Sequence, residues 1–269
     1  MKLFVMSDIH SYHFSMMQAL YKNGFQHDNP EHHLVICGDL FDRGPDAVKT
    51  FEFVKEMADK RRLTYIRGNH EDLLFDCVNE IGRGFVSDHH IRNGTFDTIV
   101  QFTQMGYYDL CYGFANKEWY DKIRPLLDFI EENTVDSAVA GDYVFVHGWV
   151  PCESKDTNIY HGTKKFTNVC SDIFNSEKES FHDEWAAARW INGMLAWSQG
   201  MTLPGKTIVC GHWHTSWGHS RLHHEGEEFP QKTSDDWRKA FEPFVDEGIV
   251  AIDACTAYSG FCNCWTIEI

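Results

Sequence analysis

The chain has 269 residues, of which 43% are hydrophobic, so it is long enough to bury the core of one large domain or two small ones. Forty acidic residues against 24 basic ones give a formal charge of −16, which repels polyanions and excludes nucleic acid and anionic membranes as default partners. No apolar run approaches the roughly 20 residues of a membrane span. The nine cysteines lack the paired spacing of a metal or redox motif. We therefore expect a cytoplasmic protein with reduced thiols.

The first third of the chain alternates between short apolar runs and longer amphipathic stretches. This pattern predicts a β-α-β-α-β-α order. Polar motifs begin where the apolar runs end, so we place the functional residues on loops at the carboxyl ends of strands, where open α/β sheets bind ligands. The predicted strands are Lys2–Met6, Leu34–Cys37 and Leu63–Ile66, and the predicted helices are about Phe14–Asn23, Ala47–Lys60 and Glu71–Ile81.

The middle of the chain predicts a helix near Lys117–Glu131, followed by a hairpin of two strands around Gly141-Asp142. These strands are Ser137–Ala140 and Tyr143–His147, and the second ends on a histidine. Residues 151–183 show no clear periodicity, which predicts a loop-rich insertion before a helix at about Glu184–Ala196.

The last third contains three further predicted strands and one polar segment. The polar, histidine-rich residues 219–236 are predicted to form a surface hairpin or a flap. Because there is no internal repeat, low-complexity run or linker, the economical interpretation is a single domain over residues 1–269 with two sheets. The predicted strands are Thr207–Cys210, Gly248–Asp253 and Asn263–Ile269.

Five short motifs carry the chemistry, and each lies at the end of a predicted strand. A single motif of this kind is also typical of a helix cap or a hydrogen-bonded core histidine, so their joint occurrence is the informative feature. Their carboxylate, amide and imidazole groups form a mixed N/O ligand set that suits manganese, iron or zinc better than calcium. The motifs are Asp8-Ile9-His10, Gly38-Asp39-Leu40-Phe41-Asp42-Arg43-Gly44, Gly68-Asn69-His70-Glu71, His147-Gly148 and Gly211-His212-Trp213-His214.

Three candidate ligands follow from the spacing and the residue types. Asp8 and His10 flank one residue, and alternate side chains of an extended segment point the same way, so both can reach a common ion. Asp39 can bridge two cations, because a carboxylate has two oxygens and a full negative charge.

The second and third motifs resemble those of the calcineurin-like metallophosphoesterases, and most closely those of the phosphoprotein phosphatase branch. That branch includes serine/threonine phosphatases and bacterial diadenosine tetraphosphate hydrolases. The resemblance extends from Asp8 to about Gly260, and Arg92-Asn93-Gly94-Thr95 with Asp97-Thr98 also resembles a segment of the bacterial members. It implies an α/β fold, a four-layer α/β/β/α sandwich with two mixed β-sheets, and an enzyme with two divalent metal ions. Manganese is the favoured metal, with iron and zinc as alternatives.

The resemblance implies a ligand set for both ions. Asp8 and His10 would bind the first ion, Asp39 would bridge, and the second ion would be bound by Asn69, His147 and His212. The second histidine of the Gly211–His214 motif, His214, completes the first site in the wider superfamily, and its alternative is a histidine that lines the pocket.

The resemblance also implies catalytic roles. His70 would act as the general acid on the leaving group, Asp42 would orient its ring, and Arg43 would bind phosphoryl oxygens. Arg189 is the candidate for a second phosphate-binding arginine.

One alternative role and one departure from the family pattern bear on substrate recognition. A helix-surface ion pair of Arg189 with Asp183 or Glu184 is the alternative to phosphate binding. Trp149 replaces a glycine of the phosphatase branch, and it is interpreted either as a stacking residue for an aromatic substrate or as a packing residue under its loop, which is favoured.

The resemblance therefore implies a metal-dependent phosphatase that hydrolyses a phosphomonoester by direct attack of a metal-bridging hydroxide. The substrate would be a phosphorylated small molecule or a phosphoprotein, with serine/threonine protein phosphatase activity favoured. The alternatives are a dinucleoside polyphosphate (diadenosine tetraphosphate) hydrolase and, next, a phosphodiesterase or nuclease. A non-catalytic protein that binds phosphorylated ligands is the least favoured, because all of the ligands and the acid are present.

Overall fold

The computed structural model describes residues 1–112, 118–154, 165–170, 182–233 and 237–269. These residues form twelve strands, eleven α-helices and a 3-10 helix at Trp237–Phe241. The strands are β1 (Lys2–Met6), β2 (His32–Cys37), β3 (Leu63–Ile66), β4 (Thr134–Val135), β5 (Ala138–Ala140), β6 (Tyr143–Phe145), β7 (Cys152–Ser154), β8 (Phe166–Val169), β9 (Thr207–Cys210), β10 (Phe244–Asp246), β11 (Ile249–Ala251) and β12 (Trp265–Glu268). The helices are α1 (His13–Lys22), α2 (Ala47–Asp59), α3 (Asn69–Gly82), α4 (Asp88–Arg92), α5 (Thr95–Thr103), α6 (Tyr107–Tyr112), α7 (Glu118–Asn133), α8 (His182–Ala188), α9 (Gly193–Ser198), α10 (Thr215–Arg221) and α11 (Thr256–Ser259).

Ten of the strands form two five-stranded mixed sheets. The first sheet has the order β12-β1-β2-β3-β4, with β12 antiparallel to an otherwise parallel set. The second has the order β10-β11-β9-β6-β5, in which the two edge strands are antiparallel to three central parallel strands. Strands β7 and β8 form a separate antiparallel pair. The carboxyl ends of the parallel strands therefore define a ligand-binding edge in each sheet.

The layer order follows from the alternation of side chains along each strand. In β1, Leu3 and Val5 pack with apolar side chains of β6, β9 and β11 between the two sheets. The alternate residues Phe4 and Met6 face the other way and pack against apolar residues of α1, α2, α3 and α7. A third cluster covers the outer face of the second sheet with side chains of α8 and α9. The predicted four-layer α/β/β/α sandwich is confirmed.

The strand predictions in the first third are confirmed to within two residues, but the predicted helix Glu184–Ala196 is wrong as a single element. Two helices, α8 and α9, occupy this stretch. Asn192 begins the second helix, because its Oδ1 accepts a hydrogen bond from the main-chain N–H of Leu195 at 3.1 Å. The apolar pattern continues across the break, so periodicity alone does not reveal it.

Parts of the expected insertion and flap are described. Residues 155–164 and 171–181 of the insertion at 151–183 lie outside the described residues, and the described remainder contributes the β7–β8 pair. In the 219–236 segment, α10 extends to Arg221 and residues 222–233 form no strand, so the described part is not a hairpin. A single domain and a moving flap stay predictions. In the part of the chain that the structure describes, no helix combines the length and apolar character needed to cross a bilayer.

Candidate active site

The five motifs lie directly after parallel strands of the two sheets. Asp8 follows β1, Asp39 follows β2, and Asn69 follows β3 in the first sheet. His147 follows β6 and His212 follows β9 in the second. The sheets pack face to face, so loops that leave the same ends of their strands meet in one cleft.

The site is built on strained backbone. The φ angles of Asp8, His10, Asp39, Asp42 and His212 lie between 51° and 75°, in the left-handed region that non-glycine residues seldom adopt. Such conformations cost on the order of 1–3 kcal/mol each and persist only where the surrounding structure imposes them.

Asp39 stands between two groups of potential metal ligands. Its Oδ1 lies 3.2 Å from Nε2 of His147, and its Oδ2 lies 3.9 Å from Nε2 of His10. With His147 and His212 it forms one cluster in which one ligand atom of each residue lies within 4.8 Å of the others, and with His10 and His70 it forms a second. One oxygen therefore faces each cluster, which is the arrangement of a bridging carboxylate.

The histidines are oriented as metal ligands. Nδ1 of His10 lies 3.0 Å from the carbonyl oxygen of Phe41, and Nδ1 of His147 lies 2.8 Å from that of Cys37. A carbonyl accepts the Nδ1 proton, so Nε2 is the nitrogen of each ring that is directed toward Asp39. Burial lowers the pKa of His147, but Asp39 outweighs it and raises that pKa to about 10, so a metal ion would have to displace the Nε2 proton of this ring. Together with the carboxylate, this donor set fits divalent transition metals.

Asn69 joins the second cluster. Its Oδ1 lies 2.8 Å from Nε2 of His147, and its side chain is buried at the start of α3. The amide oxygen therefore lies beside an imidazole of this cluster, and its role as a metal ligand stays a prediction.

The pKa values of three predicted ligands, His212, His10 and Asp39, favour the forms that bind metal. Burial, with a further contribution from His147, lowers the pKa of His212 to about 3. Burial, with His70 next, holds the pKa of His10 well below its usual range. Burial raises the pKa of Asp39, but the imidazoles of His147 and His70 outweigh it and hold that pKa well below its usual range. Neutral imidazoles and an ionised carboxylate are the forms that bind metal.

Asp8 is buried beside the loop that follows β9. Its Oδ2 accepts a hydrogen bond from the main-chain N–H of His212 at 2.9 Å and another from the Ser7 hydroxyl. Burial and then Asp253 hold its pKa well above the usual range. Its role as a metal ligand stays a prediction. Gly211 is required here, because a Cβ at that residue would lie 2.2 Å from Oδ2 of Asp8.

His70 lies at the start of α3 with its ring fixed by Asp42. Nδ1 of His70 is 2.6 Å from Oδ2 of Asp42. That carboxylate accepts hydrogen bonds from Thr95 at 2.9 Å and Thr98 at 2.8 Å, both on α5. We did not predict these threonines, although the Arg92–Thr98 segment carried the signal. Burial lowers the pKa of His70, but the carboxylates of Asp39 and Asp42 outweigh it and raise that pKa overall.

Arg43 lies between the two histidines of the first cluster. Its Nη1 lies 3.0 Å from Nε2 of His10, and its Nη2 lies 3.0 Å from Nε2 of His70. The forked guanidinium thus has both terminal nitrogens at the centre, as phosphoryl recognition requires. Close packing explains Gly94, because a Cβ there would lie 2.3 Å from the main-chain nitrogen of Arg43.

Glu71 is a positioning residue that we did not predict, although it ends the third motif. Its carboxylate accepts hydrogen bonds from the main-chain N–H groups of Gly68 at 2.7 Å and of Asp39 and Leu40 at 3.0 Å. The Tyr65 hydroxyl donates a fourth at 2.7 Å. This carboxylate fastens the loop after β2 to the loop after β3 and so sets the position of Asp39.

His214 and Arg189 are engaged elsewhere. Nδ1 of His214 lies 2.7 Å from the Ser216 hydroxyl, and its Nε2 lies 3.6 Å from Glu228. Arg189 is buried and donates to Asp72 and Asp136, each at 2.5 Å. Its partners are therefore not those of the surface pairing considered from the sequence. Metal binding by His214 and phosphate binding by Arg189 stay predictions.

Trp149 is a packing residue in this structure. Its indole is 1% exposed, and its Nε1 donates to the carbonyl oxygen of Met201 at 2.9 Å. A side chain with this burial is closed to stacking with a ligand, so the favoured packing interpretation agrees with the structure.

Two mixed sheets with a carboxylate shared between histidine clusters at their strand ends define a metallophosphoesterase architecture. The chain belongs to the calcineurin-like phosphoesterase family, whose family model matches residues 1–243. The family resemblance drawn from the motifs is confirmed, and with it membership in a family of phosphoric ester hydrolases.

Curated relatives match part of the chain. A bis(5'-nucleosyl)-tetraphosphatase PrpE (asymmetrical) of Oceanobacillus iheyensis is 31% identical over 81 residues, which is 28% of this chain and 32% of that protein. The protein of the same name from Halalkalibacterium halodurans is 25% identical over 142 residues, which is 50% of this chain and 55% of that protein. The chain thus spans between about a third and about half of the length of these relatives.

A solved structure shows the same fold at low identity. The cold-active protein-tyrosine phosphatase of a psychrophilic Shewanella species superposes with a TM-score of 0.50 at 15% identity, covering 99% of this chain and 75% of that chain. At this identity the likeness is one of fold.

Proposed function

We propose that the chain is a metal-dependent phosphoesterase whose active site is the metal centre around Asp39. The observation that carries this proposal is the position of that carboxylate, with one oxygen facing the His147 cluster and the other facing the His10 cluster. Two divalent ions held by these ligands would lower the pKa of a bound water molecule toward neutral and would neutralise charge on phosphoryl oxygens. Manganese is the proposed metal. The ligands would be Asp8, His10, Asp39, Asn69, His147 and His212, with His214 as a further candidate.

The remaining polar residues have distinct tasks. His70 holds a proton for the leaving oxygen at Nε2, because its Nδ1 is committed to Asp42. Arg43 binds phosphoryl oxygens with the two nitrogens that converge on this centre. Both groups are preorganised by neighbours, so little reorganisation is needed when charge develops on the phosphate.

The favoured substrate is a dinucleoside polyphosphate, such as diadenosine tetraphosphate. Both curated relatives carry the name of an asymmetrical bis(5'-nucleosyl)-tetraphosphatase. Trp190 and Trp213 are 48% and 37% exposed, and their rings lie 5.8 Å and 6.0 Å from the ring of His212. Exposed indoles beside a metal ligand provide stacking surfaces for a nucleobase whose phosphates reach the centre.

Phosphomonoester hydrolysis, as by a serine/threonine phosphatase, is the second candidate. The Gly38–Gly44 and Gly68–Glu71 motifs favour it, because they resemble those of the phosphoprotein phosphatase branch. Arg43 and His70 serve either reaction, so the phosphate chemistry does not separate the two substrates.

The test compares products from two substrates with the manganese-loaded protein. Chromatography of a reaction with diadenosine tetraphosphate is expected to show ATP and AMP, the products of asymmetrical cleavage. Phosphate release from a phosphoserine peptide, followed with malachite green, is expected to be much slower. Rapid phosphate release with an intact dinucleotide would establish the second candidate instead. The control is Asp39→Asn, which should abolish both activities; no activity of the unaltered protein on either substrate would overturn the proposal.

A further inference from the structure

A second histidine cluster lies at the carboxyl end of α10 and shares no residue with the Asp39 centre. His219 lies in the last turn of the helix, His223 follows four residues later, and Glu225 lies two residues beyond. One ligand atom of each of these three residues lies within 4.8 Å of the others. The centroids of the two imidazole rings lie 6.0 Å apart.

Each imidazole has one nitrogen directed to an oxygen acceptor. Nε2 of His219 lies 3.1 Å from the carbonyl oxygen of Glu242. A carbonyl oxygen can only accept a hydrogen bond, so Nε2 is the protonated nitrogen of the neutral ring and Nδ1 keeps its lone pair. This Nδ1 lies 3.9 Å from Oε2 of Glu225. Nε2 of His223 lies 3.3 Å from Oδ2 of Asp246, and a carboxylate behind an imidazole is the usual partner of a metal-binding histidine.

One side of the cluster packs against the core, and the other side is open to solvent. The rings of His219 and His223 lie 5.6 Å and 4.4 Å from the ring of Phe244, which is fully buried. This packing limits the rotation of both imidazoles. The Glu225 side chain is 71% exposed, so it can rotate toward an ion that enters from solvent.

We propose that His219, His223 and Glu225 bind one divalent ion of the zinc class, with Asp246 orienting His223. Two imidazoles and a carboxylate suit zinc and its neighbours in the transition series, and a water molecule completes the tetrahedron. Metal–ligand bonds of about 2.0–2.2 Å require ligand atoms that lie about 4 Å apart or less. A small rotation of the exposed Glu225 side chain toward the two histidines would bring its carboxylate within that distance. The ion would link the end of α10 to the segment that follows it.

The test counts zinc per chain by elemental analysis after equilibrium dialysis of the full-length protein at a fixed free zinc concentration. Glu225→Gln and His223→Ala are each expected to bind one ion fewer than the unaltered chain. The difference is independent of how many ions the Asp39 centre holds. Because the Glu225 side chain is exposed, Glu225→Gln keeps the test valid even if His223→Ala fails to fold.

Neighbouring residues supply matched controls. His224 and Glu227 are exposed and lie outside the cluster, so His224→Ala and Glu227→Gln should keep the full count. In thermal melts, zinc should raise the Tm of these controls further than that of Glu225→Gln, because an ion that binds only the folded state stabilises it. Equal zinc counts in the unaltered chain and in Glu225→Gln would overturn the proposal.

Discussion

Nδ1 of His70 lies 2.6 Å from Oδ2 of Asp42, and both groups are buried. Asp42 is held in turn by the hydroxyls of Thr95 and Thr98, so its carboxylate cannot rotate away. The ring orientation of His70 is therefore fixed, with Nε2 on the side of Asp39. This relationship separates His70 from the proposed metal ligands His10 and His147, whose Nδ1 atoms face main-chain carbonyls instead.

Replacing His70 with asparagine should remove the general acid and leave the ligand set intact. We expect His70→Asn to keep the metal content of the unaltered protein. We expect its kcat to fall by about 10²–10⁴-fold on substrates with poor leaving groups, and by less on p-nitrophenyl phosphate, whose leaving group needs little protonation. Metal analysis and steady-state kinetics on both substrates test this. An empty centre in His70→Asn would show that His70 is a ligand.

The pH dependence should change when Asp42 is replaced with asparagine. Burial lowers the pKa of His70, whereas Asp39 and Asp42 raise it above the ordinary value. A histidine with a raised pKa stays protonated to higher pH, so the acid is available until the pH rises through that pKa. Asp42→Asn removes one raising group, and the alkaline limb of the kcat profile should move to lower pH. An alkaline limb at the same pH would show that His70 is not the group that titrates there.

Much of the site could be predicted because it is encoded locally. Asp8, Asp39 and His147 each follow an apolar run, and the order of the motifs is typical of one family. The predicted strands Lys2–Met6 and Leu63–Ile66 agree with β1 and β3 at both ends. Short runs of β-branched and apolar residues bounded by polar residues favour a strand over other secondary structures.

The residues that could not be predicted depend on contacts distant in sequence. Thr98 meets Asp42 across 56 positions, and Arg189 meets Asp72 across 117. No local pattern specifies such partners, and only the packing of α5 against the loop after β2 brings the first pair together. The same limit applies to Arg189, whose nearby acidic residues in the sequence are not the ones it contacts.

Gly211 should be intolerant of any side chain. An added Cβ would lie 1.8 Å from the Ser7 hydroxyl and 2.2 Å from the Asp8 carboxylate, so the loops after β1 and β9 would have to separate. We expect Gly211→Ala to lower the free energy of unfolding by about 1–3 kcal/mol and to weaken metal binding. Urea denaturation and metal analysis test both effects. Gly82 at the end of α3 is the control, since its Cβ would meet nothing within 4 Å and Gly82→Ala should be neutral or stabilising.

The exposed indoles beside His212 should affect nucleotide substrates most. We expect Trp190→Ala and Trp213→Ala to raise KM for diadenosine tetraphosphate about 5–150-fold, because stacking on an aromatic side chain contributes about 1–3 kcal/mol per base. KM for p-nitrophenyl phosphate should rise less, since that substrate carries no nucleobase. The ratio of the two KM values is the informative measurement. An equal rise for both substrates would mean that the indoles support the centre and do not bind a base.

Arg189 should matter for stability more than for phosphate binding. Its guanidinium is 4% exposed and joins Asp72 on α3 to Asp136 after β4, so Arg189→Ala leaves two carboxylates beside a buried gap. We expect the free energy of unfolding to fall by about 3 kcal/mol. This value is at the lower end of the range for a broken buried ion pair, because both carboxylates are about one-third exposed. Arg221→Ala, which removes an exposed pair with Glu228, should cost less than about 1 kcal/mol. Urea denaturation compares the two variants. Unchanged stability of Arg189→Ala together with a raised KM would instead assign Arg189 to phosphate binding.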